Sequence, residues 1–350
     1  ILVYLLVLKG HSIKELSGVT DEYEIEWLVE KKKNKVHIDS WPTKLSLPDW
    51  IWAKLVLYYG EEEAIAFGTS LLSPATLQLR VNSLKTLSVQ DVVNEFRLSF
   101  PDAVVKIKKT ELSKQGITLP RGTAIQKHPL FLGGAIEVQE EGSQLLTLLL
   151  DVKRGHMVAD FCAGAGGKTL ALSALMKNTG RIYAFDISDR RLANMKQRLK
   201  RSGASNIAMQ RISNENDLKI KRLRNKLDRV LVDAPCTGFG TLRRNPDLKW
   251  RQTEESLAEL ATKQASILEA ASKLCKKGGY LVYATCSILN DENENIIATF
   301  LENNQHFKII PQHIIMAKSG VDIGEGDFLK LNPHTHKTDG FFGALMERIV

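Results

Sequence analysis

Apolar residues recur at three- and four-residue spacing from Ser12 to Glu30 and again from Leu47 to Leu72, a period that predicts helices broken near Trp41-Pro42 and Pro48. Before them, Ile1–Leu8 is wholly apolar. It falls far short of the ~20 residues that cross a bilayer, and with no basic flank or cleavage site beside it a buried helix is expected rather than a signal or an anchor. The texture changes at Thr76. Leu77-Gln78-Leu79-Arg80-Val81 alternates as a strand does, a helix is expected around Val89–Phe100, a second β-like run at Ala103–Ile107, and Lys-, Pro- and Gly-rich loops join them as far as Gly134.

From Ala135 onward strands and helices take turns. After a helix at Gly142–Asp151 come a strand at Met157–Phe161, a glycine-rich turn, a helix at Thr169–Met176 and a strand at Arg181–Phe185. The helix Asp189–Ser202 follows, then strands at Ile207–Arg211 and Arg229–Val232, the helix Glu254–Cys275, a turn at Lys276–Gly279 and a strand at Tyr280–Ala284. Such alternation predicts an α/β domain with a parallel, doubly wound sheet. The expected organisation is a helical N-terminal region (1–75), a small α+β module (76–134) and the α/β domain (135–350).

Ligands of doubly wound sheets bind outside the carboxyl ends of the strands. The turn at Cys162, Asp186, Asp233 and the pair Thr285-Cys286 all fall at such ends, so one cleft is expected to hold them. The turn Asp160-Phe161-Cys162-Ala163-Gly164-Ala165-Gly166-Gly167-Lys168-Thr169 misses the P-loop pattern, which needs Gly where Cys162 stands, and misses GxGxxG as well. A glycine turn with Asp186 about 20 residues on still suits an adenosine ligand, whose ribose hydroxyls an acidic residue can accept.

Composition changes this picture only modestly. With 43% hydrophobic and 25% charged residues the chain is an ordinary globular one, and a net charge of +8 favours a polyanionic partner. Lys106, Lys108, Lys109, Lys114, Arg121 and Lys127 in the small module are candidates for a phosphate backbone. So is the loop Thr241–Arg251, where cations surround Trp250. His334 and His336 lack carboxylate or Cys company, so no metal is assigned. The chain opens without Met, so its start is expected to lie inside a longer protein.

The four cysteines, Cys162, Cys236, Cys275 and Cys286, show no paired CxxC spacing, which argues against a zinc knuckle or disulfide framework and for reduced thiols in the cytoplasm. Cys162 and Cys275 are expected to be packed in the core. Cys236, in Asp233-Ala234-Pro235-Cys236, and Cys286, in Thr285-Cys286-Ser287, sit at strand-to-loop transitions. Two thiols of this kind fit attack on a pyrimidine. Cytosine C5 is a poor nucleophile until a thiolate adds to C6, and the adduct must later lose the C5 proton and release the sulfur. Asp233 and Lys168 are candidates to stabilise the charge that develops on the ring. Chemistry alone leaves the two cysteines interchangeable.

The stretches 160–169, Ala184-Phe185-Asp186-Ile187, Val232–Gly238, Arg243-Arg244-Asn245-Pro246-Asp247 and Tyr283-Ala284-Thr285-Cys286-Ser287 together resemble the RsmB/NOL1/NOP2/Sun family of RNA cytosine-C5 methyltransferases; looser similarity at Leu79–Leu84 and His334–Phe342 extends the resemblance over roughly 76–350. The joint ProCys and ThrCys motifs separate that family from DNA cytosine methyltransferases, which place the nucleophile in the ProCys motif. The resemblance implies a Rossmann-like class I fold using S-adenosylmethionine, with N-terminal helical and α+β RNA-binding modules. It implies Cys286 as nucleophile and Cys236 as the release cysteine, with Asp233 and Lys168 beside them. Cys162, Ala163, Gly164, Ala165, Gly166, Gly167, Lys168, Asp186, Arg191 and Asp233 are the implied cofactor residues. Ala165 stands where the family's turn carries Pro, and the third cofactor motif near Ile212–Asp217 has no clear counterpart. The expected protein is a cytoplasmic monomer that acts on RNA, 16S rRNA in particular, without membrane contact. The alternatives are a non-catalytic ribosome-assembly factor that keeps the fold and, more remotely, a small-molecule methyltransferase.

Overall fold

The computed structural model describes residues 12–16, 18, 20–33 and 39–350, so the helix expected at Ile1–Leu8 lies outside the described residues. The chain divides into compact units at 1–52 and 53–350. The first holds helices Ile13–Leu16, Glu22–Lys33 and Trp41–Leu45 and the start of Asp49–Tyr59. Asp21 and Glu24 cap the second of these reciprocally: each side chain accepts the other's backbone N–H, at 2.7 and 3.2 Å.

In the second unit, Leu77–Val81 (β1), Lys108–Lys109 (β2), Gly116–Leu119 (β3) and Ile136–Val138 (β4) form an antiparallel sheet in the order β2-β3-β1-β4. The helix Val89–Ser99 lies on it because Val92, Val93 and Phe96 share one face and pack with Leu79, Ile117, Leu119 and Ile136. The strand expected at Ala103–Ile107 is instead a 3-10 turn, Pro101–Lys106. Pro101 presets a helical φ at its first position, and Val105 is 93% exposed, so the apolar alternation has no core to face.

The larger sheet contains Met157–Asp160 (β5), Arg181–Asp186 (β6), Ile207–Arg211 (β7), Leu227–Asp233 (β8), Cys275–Thr285 (β9), Phe307–Ile309 (β10), Phe328–Leu331 (β11) and Phe341–Arg348 (β12). Its order is β10-β12-β9-β8-β5-β6-β7, with β11 pairing β12. Strands β5 to β9 are parallel, whereas β12 runs antiparallel to β9, β10 and β11. Lys276–Gly279, expected as a turn, belongs to β9 at a register shift opposite Leu227/Arg229. Two apolar clusters cover the sheet. One packs the helices Glu254–Ser272 and Glu294–Asn303 on one face, and the other packs Glu141–Leu149, Gly167–Leu175 and Gln312–Lys318 on the opposite face. The sheet order reverses beside β5, whose neighbours are β6 and β8, so the ends of β5, β6, β8 and β9 open onto one crevice. Among the described residues no helix is long and apolar enough to cross a membrane.

Candidate active site

The glycine turn leaves β5 and enters the helix Gly167–Leu175. Gly164 has φ +56°, and a Cβ built there would meet nothing within 4 Å, so its bare backbone faces open space. Its N–H donates to Asp186 Oδ2 at 2.9 Å, and Asp186 Oδ1 accepts from Ser188 N at 2.7 Å, which fixes the carboxylate at the end of β6. Gly166, φ +84°, is glycine for a different reason: a Cβ there would come within 2.5 Å of the Met195 side chain. The turn is also held from outside. Arg198 donates to Ala165 O at 3.0 Å, and its other nitrogens reach the buried Glu137 of β4 at 2.8 and 2.9 Å.

At the ends of β8 and β9 the chemistry converges. The sulfurs of Cys236 and Cys286 lie 3.4 Å apart, and all four cysteines are free thiols. Their contact and burial hold the Cys236 proton well above the ordinary thiol range. Lys168 Nζ meets Asp233 Oδ2 at 2.7 Å. Burial opposes the Lys168 charge, but Asp233 and the Cys286 sulfur outweigh it, so the ammonium is held above its usual value.

Beneath the cysteines is a carboxylate that the sequence patterns do not single out. Glu292 is fully buried. Its Oε1 accepts from Thr237 N (2.8 Å) and Gln264 Nε2 (2.9 Å), and its Oε2 accepts from Thr237 Oγ1 (2.6 Å) and Ser287 Oγ. Gln264 also donates to Pro235 O at 2.9 Å. Thr237 and Ser287 each follow a cysteine directly, so one carboxylate joins the two cysteine loops. The only sequence signal is the acidic pair Asp291-Glu292 a turn beyond Thr285-Cys286-Ser287, which a solvated turn would also produce.

A cavity of about 690 Å³ unites these segments. Cys162, Ala163, Gly164, Ala165, Gly167, Lys168, Asp186, Arg191, Asp233, Cys236 and Cys286 all line it, leaving Gly166 as the one expected site residue that does not. Across residues 147–347 the chain matches the family model described as 16S rRNA methyltransferase RsmB/F. The chain belongs to this family.

Relatives of this RsmB/F member agree. It is 30% identical over 97% of its length to the probable ribosomal RNA small subunit methyltransferase B of Synechocystis, covering 76% of that protein. It is 30% identical over 87% of its length to the human 28S rRNA (cytosine(4447)-C(5))-methyltransferase, covering 38% of it. A methyltransferase homologue from Pyrococcus horikoshii superposes with a TM-score of 0.73 at 31% identity, covering 88% of this chain and 97% of that one. NSun6 from the same organism, solved with SFG, shares the fold at a TM-score of 0.75 and 21% identity, over 87% of this chain and 98% of its own.

The remaining walls of the RsmB/F cavity fill the gap in the motif reading. Ile212, Ser213, Asn214 and Glu215 face the cavity after β7, with Ile187, Lys263 and Ile267. Asp217 is engaged elsewhere: it accepts from Ser213 N and caps the short helix Leu218–Lys221. Cys275 is fully buried, as packing requires, while Cys162 is only partly so and lines the cavity. Burial and the charges of Asp233, Asp160 and Asp186 push its thiol far up. In the cationic loop after Cys236, Arg243 and Arg244 both turn inward onto the buried Asp339, and Lys249 is largely buried. Arg251 pairs with Asp247 at 2.5 Å, and Trp250 stays 62% exposed. His334 bonds Glu63 Oε1 at 2.6 Å, and His336 accepts from Asn332 N at 3.1 Å.

Proposed function

We propose that this RsmB/F protein methylates C5 of a cytosine in ribosomal RNA, with Cys286 as nucleophile, Cys236 as the release thiol and S-adenosylmethionine as methyl source. The observation that carries the reading is the pair of sulfurs 3.4 Å apart, opening into a cavity that a glycine turn and a strand-end carboxylate also line. The residues present fit the cofactor. Gly164 leaves open space at the turn, Asp186 stands where ribose hydroxyls would be accepted, and Ile187, Ile212 and Ile267 offer an apolar wall to a purine. When bound, S-adenosylmethionine supplies an electrophilic methyl group.

The protein's own groups do the rest. Addition of the Cys286 thiolate to C6 builds negative charge on the pyrimidine ring, which the Lys168 ammonium offsets from a site held by Asp233. Asp233 Oδ2 is occupied by that ion pair, and its Oδ1 is left to accept from the base amino group. After transfer a water molecule entering the open cavity takes the C5 proton, the C–H electrons re-form the C5–C6 double bond, and the C6–S bond breaks with its electrons returning to Cys286. Cys236 stays a thiol beside that sulfur and assists the elimination. A non-catalytic assembly factor has no use for such a pair.

The test incubates the full chain with labelled cofactor and unmodified 16S rRNA. Label at cytosine C5 is expected from the native protein and none from Cys286→Ala. Cys236→Ala should accumulate a covalent RNA adduct that survives denaturing gels and disappears in the double variant. An unlabelled RNA overturns the activity, and an adduct that persists without Cys286 overturns the division of roles.

A further inference from the structure

A second hollow, of about 330 Å³, lies away from the catalytic cavity and shares no lining residue with it. Arg80 of β1 reaches it, with Lys114 from the loop before β3 and Lys318 from the end of the helix Gln312–Lys318. Ser83 and Ser319 add hydroxyls, and no Asp or Glu lines it. Arg80 is the unusual member, only 5% exposed. Its Nε donates to Gln139 Oε1 at 2.6 Å, and among the described residues its two terminal nitrogens meet no acceptor and no carboxylate. Glu137 stands opposite Arg80 in the β1–β4 register and its charge favours the guanidinium, but both its oxygens bond Arg198 and Arg201, and the Arg198 charge works against Arg80. Among the described residues Lys114 forms no ion pair. Its ammonium hangs over the turn at Gly320, 2.6 Å from where a Cβ would stand. Among the described residues Lys318 pairs with Asp151 alone, at 3.6 Å.

Arginine is seldom buried without an anionic partner, because its charge loses water and gains nothing in return. Here the one nearby carboxylate, Glu137, is shared among Arg80, Arg198 and Arg201, and the hollow has room for a further anion. We propose that this hollow is a phosphate-binding site, in which the Arg80 fork takes two phosphate oxygens and Lys114 and Lys318 close over the rest. Arginine forks match phosphate geometry in this bidentate way, and lysines act as point charges beside them. The volume is at the lower end for a small-molecule pocket and accommodates more than one phosphate. The phosphate comes either from the backbone of the RNA substrate, which rests on the function proposed above, or from a free phosphate or nucleotide.

Inorganic phosphate serves as the probe, titrated against the full-length protein by thermal shift, with potassium chloride matched for ionic strength. Saturable stabilisation is expected for the native chain, with at least a tenfold weaker apparent affinity in Arg80→Gln. Because Arg80 is buried and its loss threatens folding, Lys114→Ala/Lys318→Ala, both exposed positions, is the second test and should weaken phosphate binding comparably. Binding of a 16S rRNA fragment then assigns the source. A severalfold loss in the double variant, with competition by phosphate, assigns the site to the RNA backbone; unchanged RNA binding assigns it to a free phosphate. Phosphate that stabilises native and variant proteins alike, or not at all, overturns the proposal. Methylation by the same native preparation keeps the two readings apart, since a protein that methylates RNA without phosphate-specific stabilisation loses only this site.

Discussion

Two buried carboxylates with opposite surroundings show how single residues set the behaviour of this centre. Asp160 closes β5, fully buried, with Thr169 Oγ1 donating to Oδ2 at 2.6 Å and Oδ1 without a partner. Burial first, then the charges of Asp233 and Asp186, push its carboxyl up to about 7 against the Thr169 bond and Lys168. Between the ordinary carboxylate value and about 7 the folded protein therefore keeps a proton that the unfolded chain has lost. Stability from this group is present at acid pH and declines as pH rises through that window, by at most about 1.4 kcal/mol per unit. Asp160→Asn should remove the decline and leave the variant more stable at pH 8 by up to about 4 kcal/mol, with little change at pH 4, as measured by denaturant midpoints. Glu292 is the contrary case, since four donors saturate it. Gln offers one acceptor oxygen where two are used, stranding buried donors at about 1–3 kcal/mol each. Glu292→Gln should destabilise the protein by about 2–4 kcal/mol and lower kcat through the cysteine spacing, while RNA affinity stays near native. Unchanged kcat would remove Glu292 from the positioning of the thiols.

At the scale of elements, the glycine turn carries the chemistry and its neighbours supply the stiffness. Residues 160–169 reveal the course of the turn from sequence, because glycines between an apolar strand and a helix have few other uses. What locks it is not legible there. The lock runs from Glu137 on β4 through Arg198 on the helix Asp189–Ser202 to Ala165 O, and it joins the small sheet to the cofactor side of the large one. An alanine turn lacks proline's fixed φ, so the Arg198 bond does the restraining from outside. Arg198→Met keeps the packing stem, frees the turn and leaves the buried Glu137 to Arg201 alone. Cofactor binding by calorimetry should weaken about tenfold, the equivalent of one charge-assisted hydrogen bond, with RNA binding unchanged. Equal cofactor affinity in native and variant proteins would show that the turn is rigid without Arg198. The loop after Cys236 obeys the same logic. Gly240 N donates to Cys286 O and Gly340 N to Gly240 O, both at 2.8 Å, while Arg243 and Arg244 close onto Asp339. Its arginines look like phosphate ligands in the sequence because charge is visible there and a carboxylate 95 residues away is not.

For the molecule as a whole, legibility follows sequence distance. Parallel strands buried on both faces are continuous apolar runs, so β5, β6, β8 and most of β9 stand out, and with them the crevice where the motifs meet. The antiparallel β12 is equally central but is read against Gly340, Gly343 and charged Glu347 and Arg348, and its partner β9 lies more than fifty residues earlier. It fills the gap between β9 and β10, and its side chains reach both faces: Phe342, Ala344 and Met346 enter the core with Tyr283 and Phe307, Phe341 and Leu345 the opposite one with Leu146 and Leu149. A strand in both cores couples them. Phe342 is 1% exposed and packs edge-on to Tyr283, whose ring centroid is 6.5 Å away. Phe342→Ala should cost about 3–5 kcal/mol, and Leu345→Ala about 2–5 kcal/mol from the other face. If the sheet and both helical layers of the second unit unfold as one, each variant shifts the same single transition, followed in parallel by tryptophan fluorescence and far-ultraviolet circular dichroism. Transitions that separate between the two probes in either variant would mean that β12 does not couple the layers.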